Sequence, residues 1–452
     1  MKKKEGKTYF ICDECGYESQ KWFAKCPECN VIGSAVEYTA DSLYENGKTL
    51  SDFHEVSIEN LNSVAQNVTR IDVGMNELES ILNGGLVKGG IYLVSGEPGI
   101  GKSTLVTQIF RNTVFPSIYI SGEESKDQVF LRFKRLGISG ENISIIFDTH
   151  VESILKAIES KKLSPQLIVV DSIQTMKTDS FDSIAGSMIQ VRECARILTE
   201  FGKKHGITVL LIGHVNKEGN IAGPKVLEHI VDCVLQFELE VTTATRCLRV
   251  TKNRFGPTDE IAIFEMTQTG LIPIENIGNF FISDYSNQSG NTLSILQQGS
   301  KLIPIEVQAL VSKPVYGQPR RITSGVALDR VLMITAVLSK KLKLPLESKD
   351  IFVNTSGGFR AFDNSTDLAI AVSLLSSLFD IKPAQSTVAI GEIGLDGVVR
   401  PVGLNEKRAE FAVKLGIESI LVPQKCASKN KKIQIIRDVR DILMMFNQEE
   451  TK

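Results

Sequence analysis

The segment that begins at residue 96 carries the residue types that bind the phosphates of a nucleotide. It reads Gly96, Glu97, Pro98, Gly99, Ile100, Gly101, Lys102, Ser103 and Thr104. Its first eight residues fit the pattern G-x-x-x-x-G-K-[ST] at every position. The glycines let backbone N–H groups turn towards phosphate oxygens, Lys102 would place its charge on the β- and γ-phosphates, and the Ser103 hydroxyl would bind Mg²⁺. These residues predict a site for ATP and Mg²⁺; a flexible glycine turn is the alternative.

Three further polar side chains could complete this site. Asp171 ends an apolar run, where its carboxylate would hold Mg²⁺ through water. Glu123 follows the strand after the phosphate loop and is the candidate general base that positions the attacking water. His214 ends another apolar run and could sense the γ-phosphate. The alternatives are a buried strand that ends at an aspartate, a solvated acidic turn and a histidine without a role.

Four cysteines near the amino terminus form two C-x-x-C pairs, Cys12 with Cys15 and Cys26 with Cys29. Two such pairs can supply the four thiolates of a tetrahedral Zn²⁺ site, which would be closed and structural. A thioredoxin-like redox pair is the alternative, but the strand–helix pattern that surrounds such a pair is absent from the sequence. Residues 1–30 are too few to fold on hydrophobic burial alone, so the metal would supply folding free energy.

Short apolar runs that alternate with amphipathic segments must position the phosphate site. Four of these runs read as strands buried on both faces: 91–95, 117–120, 167–170 and 208–212. The segments between them can form crossover helices, for example 188–205, which precedes Gly206. Three later runs would extend the sheet: 232–240, 245–250 and 260–266. We therefore predict an α/β domain with a parallel sheet over residues 69–275.

The rest of the chain is predicted to contain two linkers and a second domain. Residues 31–68 and 276–290 are polar and aperiodic, as linkers are. Residues 291–452 mix strands and helices in a pattern that predicts an α+β domain with its own core. Its clearest predicted elements are strands at 305–311, 351–355 and 419–422 and helices at 328–342, 366–379 and 406–415.

Composition limits the functions that remain. The chain has 452 residues and a net charge of −2, so nucleic-acid binding would have to depend on local basic patches. Hydrophobic residues make up 42% of the chain, which excludes disorder throughout. The sequence contains no apolar run long enough for a membrane span, and its basic start lacks the apolar segment of a signal peptide. We therefore expect a cytoplasmic protein without a membrane partner.

Four motifs in order resemble the bacterial RadA (Sms) family of DNA repair proteins. They are the four-cysteine segment, the loop 96–103, Ser-Gly-Glu-Glu-Ser at 121–125 and Lys-Asn-Arg-Phe-Gly at 252–256. The resemblance covers essentially the whole chain and implies a RecA-like P-loop ATPase core, an N-terminal zinc ribbon and a C-terminal Lon-protease-like domain. It also implies a homohexameric ring that binds single-stranded and branched DNA and uses ATP to promote branch migration. A RecA-type recombinase would be its partner.

The resemblance gives Lys252 and Arg254 a catalytic role. ATP lies between subunits in RecA-like rings, so these side chains could reach the phosphates bound by a neighbour, where such a charge can raise the rate about 10³- to 10⁵-fold. Without the resemblance, the same motif reads as a basic turn that ends a strand.

RecA-like proteins also contact DNA through the loops that follow two strands of the sheet. The corresponding segments here are 174–186 and 216–225, which are rich in glycine, serine and other polar residues. They contain Lys177, Lys217 and Lys225. A few phosphate contacts in each subunit would add up around a ring and make DNA binding depend on salt.

The Lon-like domain departs from the pattern of an active protease, which needs a serine nucleophile and a lysine base. Our alignment places Thr366 at the nucleophile and Asn405 at the base, with Ser365 one residue early and Lys407 two residues late. One residue along a helix turns a side chain by about 100°, so Ser365 cannot substitute. We expect this domain to build the ring and present basic residues to DNA, with an ATP-dependent protease and a nucleotide-switched scaffold as alternative functions. The candidate basic residues are Arg320, Arg321, Lys340, Lys341, Lys343 and the segment 429–432.

Overall fold

The computed structural model describes residues 8–39 and 69–447, with gaps inside these ranges. The gaps are 13–16, 29, 182, 215–223, 241–244, 259, 275–277, 279–281, 283–284, 286, 315–316, 357–360, 362, 384–385 and 424–429. The chain divides into two compact units, one of Met1–Glu238 with Arg246–Pro273 and the other of Leu239–Thr245 with Ile274–Lys452. Among the described residues we find no helix with the length and hydropathy of a membrane span.

A three-stranded antiparallel sheet forms the amino-terminal ribbon. Its strands are β1 (Thr8–Cys12), β2 (Glu18–Ser19) and β3 (Ala35–Thr39), in the order β2-β1-β3. The pairing of β3 with β1 joins Thr8 to Thr39 and Cys12 to Ala35. Residues 35–39 therefore belong to the ribbon and not to the linker that the sequence predicted from residue 31.

The first unit is built on a nine-stranded sheet. A short pair, β4 (Arg70–Ile71) and β5 (Leu86–Val87), precedes its strands in the chain. The sheet strands are β6 (Ile91–Gly96), β7 (Ser117–Ser121), β8 (Ile143–Ile146), β9 (Leu167–Asp171), β10 (Thr208–His214), β11 (Cys233–Glu240), β12 (Thr245–Asn253), β13 (Ile261–Thr267) and β14 (Gly270–Pro273). Their order is β14-β13-β12-β11-β6-β10-β9-β7-β8. The six strands from β11 to β8 in this order are parallel, so their carboxyl ends share one edge.

Helices cover both faces of this sheet. They are α1 (Asn76–Ile81), α2 (Lys102–Ile109), α3 (Lys126–Arg135), α4 (Val151–Ser160), α5 (Met188–His205) and α6 (Pro224–Ile230). Side chains alternate along β6, so that Tyr92 packs with α1–α3 in one core and Leu93 packs with α4–α6 in the other. Burial on both faces explains why these strands read as continuous apolar runs.

The second unit has a seven-stranded sheet of its own, with a small hairpin beside it. The sheet strands are β15 (Asn291–Gln298), β16 (Lys301–Ser312), β17 (Arg321–Ser324), β18 (Asp350–Thr355), β19 (Thr387–Ala389), β22 (Ser419–Val422) and β23 (Ile433–Ile435), and the hairpin is β20 (Glu392–Ile393) with β21 (Val399–Arg400). The helices are α7 (Leu328–Leu342), α8 (Asp367–Phe379), α9 (Asn405–Lys414) and α10 (Val439–Asn447). Every residue of α8 from Asp367 to Ser376 is buried, which makes this helix the centre of the α+β domain.

Candidate nucleotide site

The phosphate loop joins β6 to α2 at the carboxyl edge of the sheet. Gly101, just before α2, has a φ of 114°, and a Cβ there would lie 2.6 Å from Met266 Cε. A Cβ on Gly96 would lie 2.5 Å from the carbonyl oxygen of Phe237 on β11. Gly101 requires glycine because of its positive φ, and Gly96 because a fixed backbone oxygen occupies the space of a side chain.

Lys102 is buried at the start of α2, with 4% of its surface exposed. Its Nζ donates hydrogen bonds of 2.8 Å to the carbonyl oxygens of Gly96 and Glu97. Burial lowers the pKa of the Lys102 ammonium to about 8, although the charges of Asp171 and Glu123 act in the opposite direction. The loop thus holds the ammonium in a fixed position among its own backbone groups.

The loop opens into a cavity of about 690 Å³ inside the first unit. The cavity is lined by Pro98, Gly99, Gly101, Lys102, Ser103, Thr104, Glu123, Glu124, Gln128, Leu131, Arg132, Arg135 and His214. Three buried atoms of these side chains have no hydrogen-bond partner among the described residues: Glu124 Oε2, Arg132 Nε and His214 Nδ1. Buried polar atoms of this kind need a ligand or water to satisfy them. The wall therefore fits a polar, charged ligand such as ATP.

Asp171 and Ser103 are the two residues that the sequence predicted as oxygen donors for Mg²⁺. Asp171 is the last residue of β9, lies opposite Ser121 of β7 and is 6% exposed. Ser103 lies in the first turn of α2 and is half-buried. A carboxylate and a hydroxyl are hard donors that suit Mg²⁺, so the residues present fit the metal.

Glu123 lies on the cavity wall, where two other residues hold its carboxylate. Its Oε1 accepts a hydrogen bond from Ser172 Oγ and lies 3.2 Å from His214 Nε2. The hydrogen bond to His214 is the main cause that lowers the pKa of Glu123 to about 2. The structure thus brings together the candidate base, the candidate sensor and the phosphate loop in one cavity.

Lys252 and Arg254 lie at the opposite edge of the sheet. Arg254 Nη1 is 3.1 Å from Asp232 Oδ1, and Asp232 Oδ2 accepts a hydrogen bond from the backbone of Ile91, the first residue of β6. The phosphate loop begins at the other end of β6, roughly 17–20 Å away at about 3.3 Å per residue. Lys252 Nζ donates to the carbonyl oxygens of Glu228 and Val231, next to the end of α6. Within one chain, neither side chain is brought to the phosphate loop.

The two described cysteines of the ribbon make the same backbone hydrogen bond, to the carbonyl oxygen five residues further on. Cys12 N donates to Tyr17 O at 2.9 Å, and Cys26 N donates to Val31 O at 2.8 Å. Both thiols are fully buried, and Asn30 in the second turn has a φ of 62°. The same backbone hydrogen bond at two buried thiols fits a structural Zn²⁺ site. Cys15 and Cys29, the other two predicted ligands, lie outside the described residues.

Removal of Zn²⁺ is expected to unfold the ribbon and leave the ATPase unit folded, because the metal supplies the folding free energy of the ribbon alone. Trp22, the one tryptophan of the chain, lies in the ribbon and is 63% exposed. Its fluorescence anisotropy should therefore fall on chelation, while binding of a fluorescent ATP analogue is retained. Anisotropy that a strong chelator leaves unchanged would contradict the zinc assignment.

The segments predicted to contact DNA are only partly described. In the first, Ile173–Thr175 form a 3₁₀ helix and Lys177 is exposed. In the second, Lys217 lies outside the described residues, and of Lys225 only the helical backbone in α6 is described. The contacts of these two lysines therefore stay a prediction.

Two of the basic residues predicted to contact DNA from the second unit are held by the protein itself. Arg320 forms an ion pair with Asp350, with Nη2 2.8 Å from Oδ2. Arg321 donates to the carbonyl oxygens of Leu346, Glu347 and Lys349. Their charges are thus already engaged within the domain. The side chains of Lys340, Lys341, Lys343, Lys431 and Lys432 are exposed, and Lys429 lies outside the described residues.

Three residues in or next to the candidate site were given no role from the sequence. Arg132 reaches the cavity from α3, and Tyr119 of β7 lies beneath it with Glu124 alongside. For Arg132, the sequence did contain a signal. The spacing of Gln128, Leu131, Arg132 and Arg135 places these four side chains on one face of a helix.

Comparisons with known proteins agree with this architecture. Residues 71–145 and 141–278 match the KaiC ATPase family, residues 326–426 match subunit ChlI of Mg-chelatase, and residues 10–37 match a zinc-ribbon family described as a rubredoxin metal-binding domain. The DNA repair protein RadA of Listeria monocytogenes is 40% identical over 94% of this chain and 93% of its own. Those of Aquifex aeolicus and Bacillus subtilis are 41% and 39% identical, over 93% and 92% of this chain and 94% and 92% of theirs.

This chain belongs to the RadA family of DNA repair proteins. The predicted fold is confirmed: a RecA-like P-loop ATPase core lies between an N-terminal zinc ribbon and a C-terminal α+β Lon-protease-like domain. Membership of the RadA family makes the chain a DNA repair ATPase, which uses a nucleotide with Mg²⁺.

Proposed function

We propose that this RadA-family chain is a DNA-dependent ATPase that works as a homohexameric ring on single-stranded and branched DNA. Hydrolysis would drive branch migration of recombination intermediates made by a RecA-type recombinase. Lys102 stabilises negative charge on the β- and γ-phosphates, and Glu123 orients the attacking water and accepts its proton. ATP supplies the phosphoryl group and Mg²⁺ neutralises its charge.

The observation that carries DNA dependence is the pair of contacts made by Glu123. Ser172 lies two residues before the first predicted DNA segment, and His214 lies two residues before the second; both contact the Glu123 carboxylate. Gln174 Nε2 also lies 3.4 Å from the carbonyl oxygen of His214. Glu123 is thus hydrogen-bonded to one residue close to the start of each segment. DNA that orders these segments would change the position and pKa of Glu123 directly.

A DNA-unwinding assay tests the branch-migration part of this function. In a labelled three-strand intermediate, the paired region of the invading strand should lengthen in the presence of ATP and Mg²⁺. It should not lengthen with an ATP analogue that cannot be hydrolysed. Equal extension with that analogue would leave DNA binding in place but exclude a motor that uses hydrolysis.

Lys252 and Arg254 support a ring because they cannot act on their own phosphate loop. We infer that they reach the γ-phosphate bound by the neighbouring subunit. Arg254 is 54% exposed on its side chain and is therefore available to a neighbour. Lys252 carries a pKa lowered chiefly by burial, and would have to leave the carbonyl oxygens at the end of α6.

Mixing two inactive variants tests action between subunits. Lys252→Ala and Lys102→Ala should each abolish hydrolysis alone, whereas mixed rings should recover activity wherever an intact Lys102 faces an intact Lys252. Arg254→Ala should also lower hydrolysis. Its matched control is Lys203→Ala, because Lys203 also contacts Asp232 but has no predicted catalytic role. If the mixtures were as inactive as either variant alone, Lys252 would act in the site of its own subunit or serve only to stabilise the fold.

The second unit is not a protease in this proposal. Ser365 is fully buried, and its Oγ donates to Asp363 and lies 3.3 Å from the carbonyl oxygen of Ile295. Thr366, at the predicted nucleophile position, is 2% exposed. Asn405 at the position of the base has no group that can take a proton at neutral pH. The burial of both hydroxyls and the lack of a base at Asn405 support a domain without protease activity.

A further inference from the structure

Arg132 is a buried arginine that contacts three groups of the nucleotide site. It is 8% exposed, and its Nη1 lies 2.8 Å from Glu124 Oε1. Its Nη2 donates to Tyr119 Oη and lies 3.6 Å from Asp171 Oδ2. A buried arginine is costly unless its charge is paired, and here the two carboxylates supply that pairing.

Tyr119 connects this arginine to Asp171. Its side chain is fully buried on β7, and its hydroxyl donates to Asp171 Oδ2 while accepting from Arg132. Burial raises the pKa of Tyr119 well above its usual value, so the hydroxyl keeps its proton and remains a donor. The neighbouring strand position makes the contact possible, because Tyr119 lies two residues before Ser121, which faces Asp171 across the sheet.

Both contacts of the Asp171 carboxylate fall on the same oxygen. Among the described residues, Tyr119 and Arg132 approach Oδ2, which leaves Oδ1 for a metal or its water. Arg132 Nε and Glu124 Oε2, buried on the cavity wall, have no hydrogen-bond partner among the described residues. Glu124 and Arg132 both line the nucleotide cavity, so the network connects the cavity wall to Asp171.

We propose that Tyr119 and Arg132 are positioning residues that fix the rotamer of Asp171 so that its second oxygen meets the Mg²⁺ of bound nucleotide. Hydrogen-bond donors behind a metal ligand orient it, and their loss typically costs about 10- to 100-fold in metal affinity or activity. The inference rests on the proposed Mg²⁺ role of Asp171 and adds the residues that hold this carboxylate in place.

Metal-dependent nucleotide binding tests the inference without hydrolysis. The probe is a fluorescent AMPPNP analogue, titrated onto the full chain at increasing free Mg²⁺ and, separately, in EDTA. In Tyr119→Phe, we expect the Mg²⁺ concentration for half-maximal binding to rise about 10- to 100-fold, with binding in EDTA unchanged. Arg132→Lys should show the same loss, because an ammonium cannot reproduce two separate Nη contacts.

Tyr92→Phe is the matched control. It also removes a buried tyrosine hydroxyl, which accepts a hydrogen bond from Val87 N near the amino end of β6, so it should lower thermal stability without changing the Mg²⁺ midpoint. A Tyr119→Phe protein with the wild-type Mg²⁺ midpoint would overturn the inference, as would equal losses in Tyr119→Phe and Tyr92→Phe.

The Asp171→Asn variant distinguishes the positioning role of Tyr119 and Arg132 from the proposed Mg²⁺ role of Asp171. If Asp171→Asn raises the Mg²⁺ midpoint and Tyr119→Phe does not, the positioning role fails and the proposed metal site stands. If Asp171→Asn also binds Mg²⁺-nucleotide like the wild type, the proposed metal site itself fails, and the inference fails with it.

Discussion

Replacement of Lys102 by alanine is expected to lower kcat for ATP hydrolysis by about 10³-fold or more, within the range lost when a charge that stabilises phosphoryl transfer is removed. The ammonium is buried and fixed by the carbonyl oxygens of Gly96 and Glu97, so water cannot replace it in the same position. Steady-state phosphate release, measured at saturating ATP and Mg²⁺, gives the comparison.

Lys161→Ala is the control for the Lys102 variant, because this lysine is exposed at the end of α4. It should hydrolyse ATP at the wild-type rate. The ribbon should remain folded in both variants, as reported by Trp22. Wild-type turnover in Lys102→Ala would show that the phosphate loop is not the site of hydrolysis.

Replacement of Glu123 by glutamine is expected to lower kcat by about 10²- to 10⁴-fold, the contribution typical of a general base, while nucleotide binding is retained. Glutamine can keep the contacts with Ser172 and His214 but cannot accept a proton. The hydrogen bond from His214 lowers the pKa of Glu123 to about 2, which makes the carboxylate a weak base. Rearrangement of His214 on DNA binding would raise this pKa and strengthen the base.

Single-turnover hydrolysis separates this chemical step from product release in Glu123→Gln. Glu141→Gln removes an exposed carboxylate outside the cavity and should behave like the wild type. If Glu123→Gln lost nucleotide binding and turnover equally, Glu123 would be a structural residue. Unchanged turnover would instead favour a nucleotide-switched scaffold.

Elements whose sequence signals are local were predicted well. The helix expected at 188–205 is α5 (Met188–His205), because Ser187 caps its first turn and Gly206 takes the left-handed conformation that ends it. The strand β3 was missed, since its formation depends on pairing with β1 across a turn-rich segment. The loop motif places the start of α2 but not its end, which is Ile109, where a 3₁₀ turn, Phe110–Asn112, follows.

The candidate site was predictable where one motif carries the chemistry. The phosphate loop and Glu123 follow strands of the sheet, and Asp171 and His214 are the last residues of two others. Their common edge could therefore be derived from the parallel topology. Tyr119 and Arg132 could not be found in this way. Their contacts with Asp171 depend on the register between β7 and β9 and on the face that α3 presents to the cavity.

The positions of Lys252 and Arg254 could also not be derived from one sequence. The motif gives two cations at the end of a strand, and only the three-dimensional structure shows that this end lies across the sheet from the phosphate loop. Because of that separation, Lys252 and Arg254 are proposed to act on the nucleotide of a neighbouring subunit.

The central claim is tested most directly by ATP hydrolysis of the zinc-loaded protein with and without single-stranded DNA over a series of salt concentrations. We predict that DNA stimulates hydrolysis and that the stimulation declines steadily as salt rises, because phosphate contacts release counterions. Hydrolysis that is robust but identical with and without DNA at every salt concentration would contradict a DNA-dependent ATPase.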